Sequence, residues 1–105
     1  MLLHYAIAEH GYNRVRLLRV PVGFDEEAMV VFSSWSAAQN FFLYYIFDGE
    51  WYPREFSASE LTSLLLGPYE SVEWVLLDPL PGHLAAGSTQ ANLVNRERLV
   101  EHLLG

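Results

Sequence analysis

The hydrophobic and polar residues along the chain follow patterns typical of strands in some segments and of helices in others. Charged and apolar residues alternate over residues 14–22, as in a strand with one buried face. Residues 28–32 form a short apolar run with β-branched side chains, which predicts a central strand. A second run at residues 72–77 ends at Asp78 and Pro79 and predicts another buried strand.

The most completely specified element is a short helix over residues 57–66. Ser57 precedes an apolar pattern and Glu60 follows three positions later, which is the spacing of a capping box. In that arrangement each of the two side chains accepts a hydrogen bond from the other residue's backbone amide. Gly67 then stops the helix.

Two further segments are predicted to be helices. One covers residues 35–47 and begins after Ser33 or Ser34, either of which can cap it. The other covers residues 96–104 and follows Asn95, another favourable capping residue. The apolar residues of this last helix fall on one face: Leu99, Val100, Leu103 and Leu104.

The remaining segments are less sharply patterned. Residues 2–10 fit either a helix closed by Gly11 or a strand in which Leu3, Tyr5 and Ile7 alternate, and the glycine stop favours the helix. Residues 50–56 are aromatic and extended, but Pro53 has no amide to donate, so this strand is expected at a sheet edge. A brief strand is predicted at residues 91–94.

Helices alternate with strands through the middle of the chain, and no internal repeat or linker interrupts them. Because a helix buries only one stripe and a sheet needs its faces covered, packing the two together is the simplest solution. The sequence therefore predicts one α+β domain over residues 1–105. We expect a single mixed sheet of about four to five strands with two to four helices packed against it.

The charge of the chain argues against a nucleic-acid partner. The formal net charge is -7, and all six basic residues are arginines. A chain with this negative charge repels a phosphate backbone unless a local stripe of basic residues opposes the repulsion. The only basic cluster, Arg14, Arg16 and Arg19, lies near acidic residues in sequence and predicts a solvated edge rather than a nucleic-acid site.

Composition also bears on where the protein acts. The chain has no cysteine, which removes disulfides and cysteine-bound zinc. No apolar run reaches the roughly 20 residues that a membrane helix needs, and a signal-peptide pattern is not found. We therefore expect a cytoplasmic protein without a membrane partner. Arginine without lysine is typical of a GC-rich genome and favours a bacterial source.

The helix at residues 35–47 carries the main functional hypothesis. Its second half is apolar around the whole circumference, although a surface helix needs only one apolar side. One interpretation is a helix buried in the core. The other is a protein interface, since aromatic residues dominate interface energetics, formed by Tyr44, Tyr45, Trp51 and Tyr52. The leading hypothesis is a noncatalytic association domain, most simply a homodimer, although another protein is a possible partner.

The alternative hypothesis is a small-ligand-binding or minor enzymatic domain that uses the loop at residues 78–90. Loops above strand ends often carry binding groups, and a histidine titrates near neutral pH. The candidate ligand-binding residues are Asp78, His83 and Arg54. Their spacing matches no metal motif, and no nucleophile elbow or phosphate loop is present. We therefore predict no catalytic residue, metal or cofactor.

Three segments together resemble a known family. An apolar strand followed by hydroxyl residues at residues 30–38, the serine-capped helix at residues 57–66, and the strand ending in Asp78 and Pro79 follow the sequence rhythm of the SseB amino-terminal domain. The resemblance covers roughly residues 28–80. It implies a similar strand and helix order over that stretch, and it brings no catalytic residues with it.

Overall fold

Strands and helices both occur along the described parts of the chain. In this computed structural model, residues 3–9, 16–23, 26–44, 51–79 and 93–104 are described. They form seven strands and three helices. In chain order these are β1 (Leu3–Glu9), β2 (Arg16–Leu17), β3 (Arg19–Gly23), β4 (Glu26–Val31), α1 (Trp35–Tyr44), β5 (Trp51–Ser57), α2 (Ala58–Leu66), β6 (Trp74–Leu77), β7 (Leu93–Asn95) and α3 (Arg96–Leu104).

The described strands form two sheets, so the α+β class is confirmed and the expected single sheet is wrong. One sheet is antiparallel with the order β2-β1-β5. The other has the order β3-β4-β6-β7, and it is mixed because β4 and β6 run parallel. The division arises at Leu18, which separates β2 from β3: before it the chain pairs with β1, and after it with β4.

Backbone hydrogen bonds join the two sheets at this division. The Leu18 amide donates to the carbonyl of Ile7 at 2.8 Å. Tyr5 and Phe32 exchange both of their backbone hydrogen bonds, at 2.8 and 2.7 Å. The end of β4 therefore lies directly beside β1, and both sheets contribute residues to the core on each face.

Residues 2–10 contain a strand, so the helix favoured by Gly11 is wrong. β1 pairs with β5 along its length, from Leu3 opposite Ser57 to Glu9 opposite Trp51. Apolar residues cover both faces of β1. Its sequence is therefore apolar on both faces and lacks the clear polar and apolar alternation of a half-buried strand. Pairing with a distant strand outweighs the local glycine signal.

Helices cover both faces of the sheets. Successive strand residues point to opposite faces, and neighbours along β4 accordingly join different core clusters. The α1-side cluster comprises the buried residues Ile7, Val30, Phe32, Ala38 and Phe41. The opposite cluster contains Met29, Val31 and Phe56 from the strands and packs against α2 and α3 through Leu61, Leu65, Leu99 and Val100.

The predicted helix caps are present. The Glu60 amide donates to Ser57 Oγ at 3.1 Å, and the Ser57 amide donates to Glu60 Oε1 at 3.2 Å, which confirms the capping box. Asn95 Oδ1 accepts from the Glu97 amide at 2.8 Å. At the start of α1, Ser34 provides the cap by accepting from the Ala37 amide.

The edge position of β5 is also as expected. Among the described strands β5 pairs only with β1, where Pro53 lies opposite Ile7. The missing amide of Pro53 therefore costs no ladder hydrogen bond. Residues 45–47, at the end of the predicted first helix, lie outside the described residues. Within the described residues no helix is long and apolar enough to cross a membrane.

Candidate functional site

The carboxyl ends of the parallel strands β4 and β6 meet at one edge of the mixed sheet. Ser33 follows the first of these ends and Asp78 follows the second. The Ser33 amide donates to Asp78 Oδ1 at 2.8 Å, and the Ser33 hydroxyl donates to Asp78 Oδ2 at 2.7 Å. The Asp78 amide in turn donates to the carbonyl of Val31 at 2.9 Å. Asp78 thus ties the two strand ends together.

The backbone of Asp78 is in the left-handed region. Its φ is 44°, a conformation that side chains with a Cβ adopt at some cost, although aspartate tolerates it better than most. The three hydrogen bonds at this residue hold it there. Strained backbone of this kind concentrates at functional sites. The carboxyl ends of β4 and β6 are therefore the leading candidate site.

His4 lies next to the same edge. It precedes Tyr5, whose backbone pairs with Phe32, the residue before Ser33. Its Nδ1 atom is buried and has no hydrogen-bond partner in the described part of the chain. Burial lowers the pKa of His4 below its ordinary value; the nearby His102 lowers it further, and Asp78 opposes both. Burial therefore favours the neutral form of the His4 imidazole.

The hydrogen bonds that the polar groups at this edge already make limit the chemistry they can perform. Both carboxylate oxygens of Asp78 accept from Ser33, so the serine hydroxyl donates its proton to a weak base rather than to an imidazole. Across the described ranges, no three His, Asp or Glu side chains are grouped so that they could hold a metal ion. The arrangement favours holding the strands together over activating a nucleophile.

The three predicted ligand-binding residues have different surroundings. The Arg54 guanidinium lies 4.6 Å from the centre of the Phe56 ring and 3.8 Å from Glu60 Oε2. Asp78 instead contacts Ser33. His83 lies outside the described residues. Arg54 therefore belongs to the surface of β5 and α2, and Asp78 belongs to the ends of the parallel strands.

The four predicted interface residues are also divided. Trp51 and Tyr52 are half-buried neighbours on β5, so their side chains point to opposite faces. Trp51 packs against the α1-side cluster, and Tyr52 packs against the cluster beneath α2 and α3. Tyr44 is the last residue of α1, and Tyr45 lies outside the described residues.

Exposed apolar side chains occur on all three helices. On α1, Leu43 is 72% exposed and Trp35 is 51% exposed, and the Trp35 ring makes a T-shaped contact with the ring of Tyr5. On the other face of the sheets, Leu66 of α2 is 54% exposed and Leu104 of α3 is 70% exposed. These four are the large exposed hydrophobic residues in the described part of the chain.

Clefts also lie away from the carboxyl ends of β4 and β6, and two of them differ in their lining residues. The cleft between α2 and α3 measures about 490 Å³. Its walls carry hydroxyl, methyl and leucine side chains: Ser57, Ala58, Ser59, Thr62, Ser63, Leu103 and Leu104. The second, of about 250 Å³, lies at the amino ends of β4 and β6 and is mainly acidic, with Glu26, Glu27 and Glu73 beside Arg19 and Trp74. Neither cleft gathers groups suited to catalysis.

The sequence did not single out His4 or Leu43. A lone histidine in an apolar segment is usually structural, and its neighbours here come from distant parts of the chain. Leu43 is one of many apolar residues in its helix, and its exposure depends on how the helix rotates against the sheet. The rotation follows from the buried pair Ala38 and Phe41, which could be recognised only once the sheet was known.

The chain matches no protein-family model, no curated protein and no solved structure. Its function is therefore argued from the residues and their geometry.

Proposed function

We propose that this protein is a noncatalytic association domain that forms a homodimer through the outer face of α1. We define this face as Ser36, Gln39, Asn40 and Leu43, with Trp35 at its flank. The observation that carries the proposal is the 72% exposure of Leu43 near the end of a helix whose opposite side is fully buried.

The rotation of α1 about its axis determines which of its side chains are exposed on this face. Ala38 and Phe41 are buried against β1 and β5, so the residues about half a turn away point outward. Ser36, Asn40 and Leu43 are exposed on that outward side, and Leu43 lies near its carboxyl end. Fully burying a leucine side chain contributes about 1.5–3 kcal/mol. Two-fold pairing buries it twice, because the same patch faces itself.

The proposed surface extends toward the residues predicted from sequence. Tyr44 follows Leu43 directly, and Trp51 packs on the same side of β5 as α1. We retain Tyr44, Tyr45 and Trp51 as interface residues in this proposal. Tyr52 has its core contacts on the other side of the sheet and contributes there to stability instead. A central apolar anchor with polar residues around it is typical of a moderate protein interface.

The remaining parts of the proposal rest on sequence. The net charge of -7 disfavours nucleic acid, so the partner is a protein, most simply a second copy. We place the protein in the cytoplasm of a bacterium, on its lack of cysteine and its arginine-only basic residues. We retain the resemblance to the SseB amino-terminal domain over residues 28–80 as part of the same hypothesis.

A matched pair of substitutions tests the proposed face. Leu43→Glu places a charge on the outer face of α1, and Leu104→Glu places one on α3 at nearly equal exposure, 72% against 70%. Both residues are exposed, so both variants should keep the wild-type circular dichroism. We expect Leu43→Glu to sediment as a 12.0 kDa monomer and Leu104→Glu to remain dimeric. If Leu104→Glu dissociates the dimer and Leu43→Glu does not, the interface is on the other side of the sheets.

The ligand-binding alternative is favoured by one observation. Ligands of α/β sheets bind beyond the carboxyl ends of parallel strands, where Asp78 lies. Titration with zinc or nickel, followed by calorimetry, tests it together with the predicted residue His83. We expect no stoichiometric binding. Binding that disappears in His83→Ala would favour the alternative over association.

A further inference from the structure

We propose that two copies of the chain pair through α1 in an antiparallel arrangement, in which Leu43 of each copy packs on Ser36 of the other. The arrangement rests on the association through α1 proposed above and makes it specific. It fixes the orientation of the second copy and the residues that meet across the two-fold axis.

The outer side of α1 is one continuous stripe. Its members follow the spacing i, i+3, i+4 and i+7, which places them on one side of a helix over two turns: Ser36, Gln39, Asn40 and Leu43. The residues between them, at 37–38 and 41–42, belong to the α1-side cluster or pack against it. The helix is therefore divided into an inner side that packs on the sheets and an outer side that is open to a second protein.

The charge of the chain favours a second copy at this stripe. Two copies that each carry a net charge of -7 repel one another. None of the residues of α1 is charged, whereas α2 contains Glu60 and α3 contains both arginines and glutamates. Among the three described helices, α1 is thus the one on which two copies approach without placing charges of the same sign in contact. A basic partner would gain no charge attraction from this helix.

The shape of the stripe favours the antiparallel orientation. Leu43 projects near one end and the small Ser36 lies near the other, and seven residues of helix separate them by about 10.5 Å. In an antiparallel pair each leucine fills the space above the partner's Ser36. In a parallel pair the two leucines would meet each other, and the two serines would leave a gap without packing contacts.

Trp35 borders the space that receives the leucine. It adjoins Ser36, is 51% exposed, and its ring is held in a T-shaped contact with Tyr5. An aromatic ring fixed in this way adds apolar contact area at low cost in conformational entropy. The serine and the tryptophan together form the receiving end of the stripe, and Leu43 forms the inserting end.

The polar residues at the middle of the stripe suit the same two-fold axis. Gln39 and Asn40 lie midway between Ser36 and Leu43, so in the antiparallel pair each amide lies close to the same amide of the partner. A side-chain amide has both donors and an acceptor, and it can therefore bond to an identical group. The antiparallel orientation also places opposite ends of the two helix dipoles side by side.

Single cysteines test the arrangement, because the chain has none of its own. A disulfide requires Cα atoms within about 7 Å of each other. In the antiparallel pair the two copies of Asn40 lie next to the axis, whereas the two copies of Ser36 are about 10.5 Å apart along the helices. Under mild oxidation we expect Asn40→Cys to form a covalent species of twice the 12.0 kDa chain mass, several-fold faster than Ser36→Cys.

Two further variants complete the test. Ser63→Cys, at an exposed position of α2, measures cross-linking by random collision. Gln39→Cys lies on the other side of the axis from Asn40 and should cross-link as readily, so it replaces Asn40→Cys if that variant does not fold. Circular dichroism identifies the variants that keep the wild-type fold.

Two results would overturn the antiparallel arrangement. Faster cross-linking of Ser36→Cys than of Asn40→Cys would show a parallel pair and leave the association through α1 standing. Cross-linking of Asn40→Cys and Gln39→Cys no faster than that of Ser63→Cys would exclude the axis proposed here. The mass of the wild-type protein in solution then distinguishes a dimer formed elsewhere from a monomer, for which the proposed association itself fails.

Discussion

The carboxylate of Asp78 accepts two hydrogen bonds from Ser33, one from its amide at 2.8 Å and one from its hydroxyl at 2.7 Å. The two residues are 45 positions apart in sequence and meet where β4 and β6 end. These two hydrogen bonds link the carboxyl ends of the two neighbouring strands. It also holds Asp78 at a φ of 44°.

Two substitutions at Asp78 separate the stability contributed by its side-chain hydrogen bonds from the cost of its backbone conformation. Asp78→Gly removes the carboxylate but suits the left-handed backbone, whereas Asp78→Ala removes the carboxylate and keeps the strain. We expect Asp78→Ala to be less stable than Asp78→Gly by up to about 1 kcal/mol, because the strain of a left-handed alanine is partly offset by the extra entropy that glycine loses on folding. Both should be less stable than the wild type in urea unfolding. An alanine variant more stable than the glycine variant would mean that the strain at this φ is smaller than that entropy difference.

The capping box of α2 should behave as a unit. Ser57→Ala should lower the free energy of unfolding by about 0.5–2 kcal/mol, because the Glu60 amide loses its acceptor. Glu60→Ala should cost a fraction of that, and the double variant less than the sum of the two. Ser59→Ala, an exposed serine in the same first turn, is the control and should be nearly neutral. Full additivity would argue against reciprocal bonding.

Tyr69 supports the end of β2 through a hydrogen bond to Leu17. Its hydroxyl accepts a hydrogen bond from the backbone amide of Leu17 at 2.8 Å, and Leu17 is only 4% exposed. Tyr69→Phe leaves that amide without this acceptor and should cost about 1–3 kcal/mol. The measurement is urea unfolding, with Glu70→Ala as a control at the adjacent exposed position. A loss no larger than in the control would mean that water replaces the hydroxyl.

The features predicted correctly from the sequence are those encoded locally. The Ser57 and Glu60 pair fixes the start of α2 within four residues, and Asn95 fixes the start of α3 in the same way. Pro53 places its strand at an edge, because proline cannot donate to a second neighbour. In each case the signal and the structure it specifies occupy the same short stretch.

The features missed depend on contacts between distant residues. β1 was expected as a helix because Gly11 is a local stop, but its longest strand pairing is with β5, which lies beyond the first helix in sequence. The division into two sheets occurs at Leu18, where the chain changes from pairing with β1 to pairing with β4. No local sequence pattern predicts this change. His4 lies opposite Phe56 of β5, and the exposure of Leu43 depends on the packing of α1. Such tertiary relationships override local propensity.

Association through α1 is the central claim, and the mass of the wild-type protein in solution tests it most directly. Sedimentation equilibrium over micromolar concentrations should report about twice the 12.0 kDa chain mass. Dilution should shift the distribution toward the monomer, as expected for an interface with one leucine anchor per subunit. A stable 12.0 kDa monomer at the highest concentration, with no partner bound, would contradict the claim.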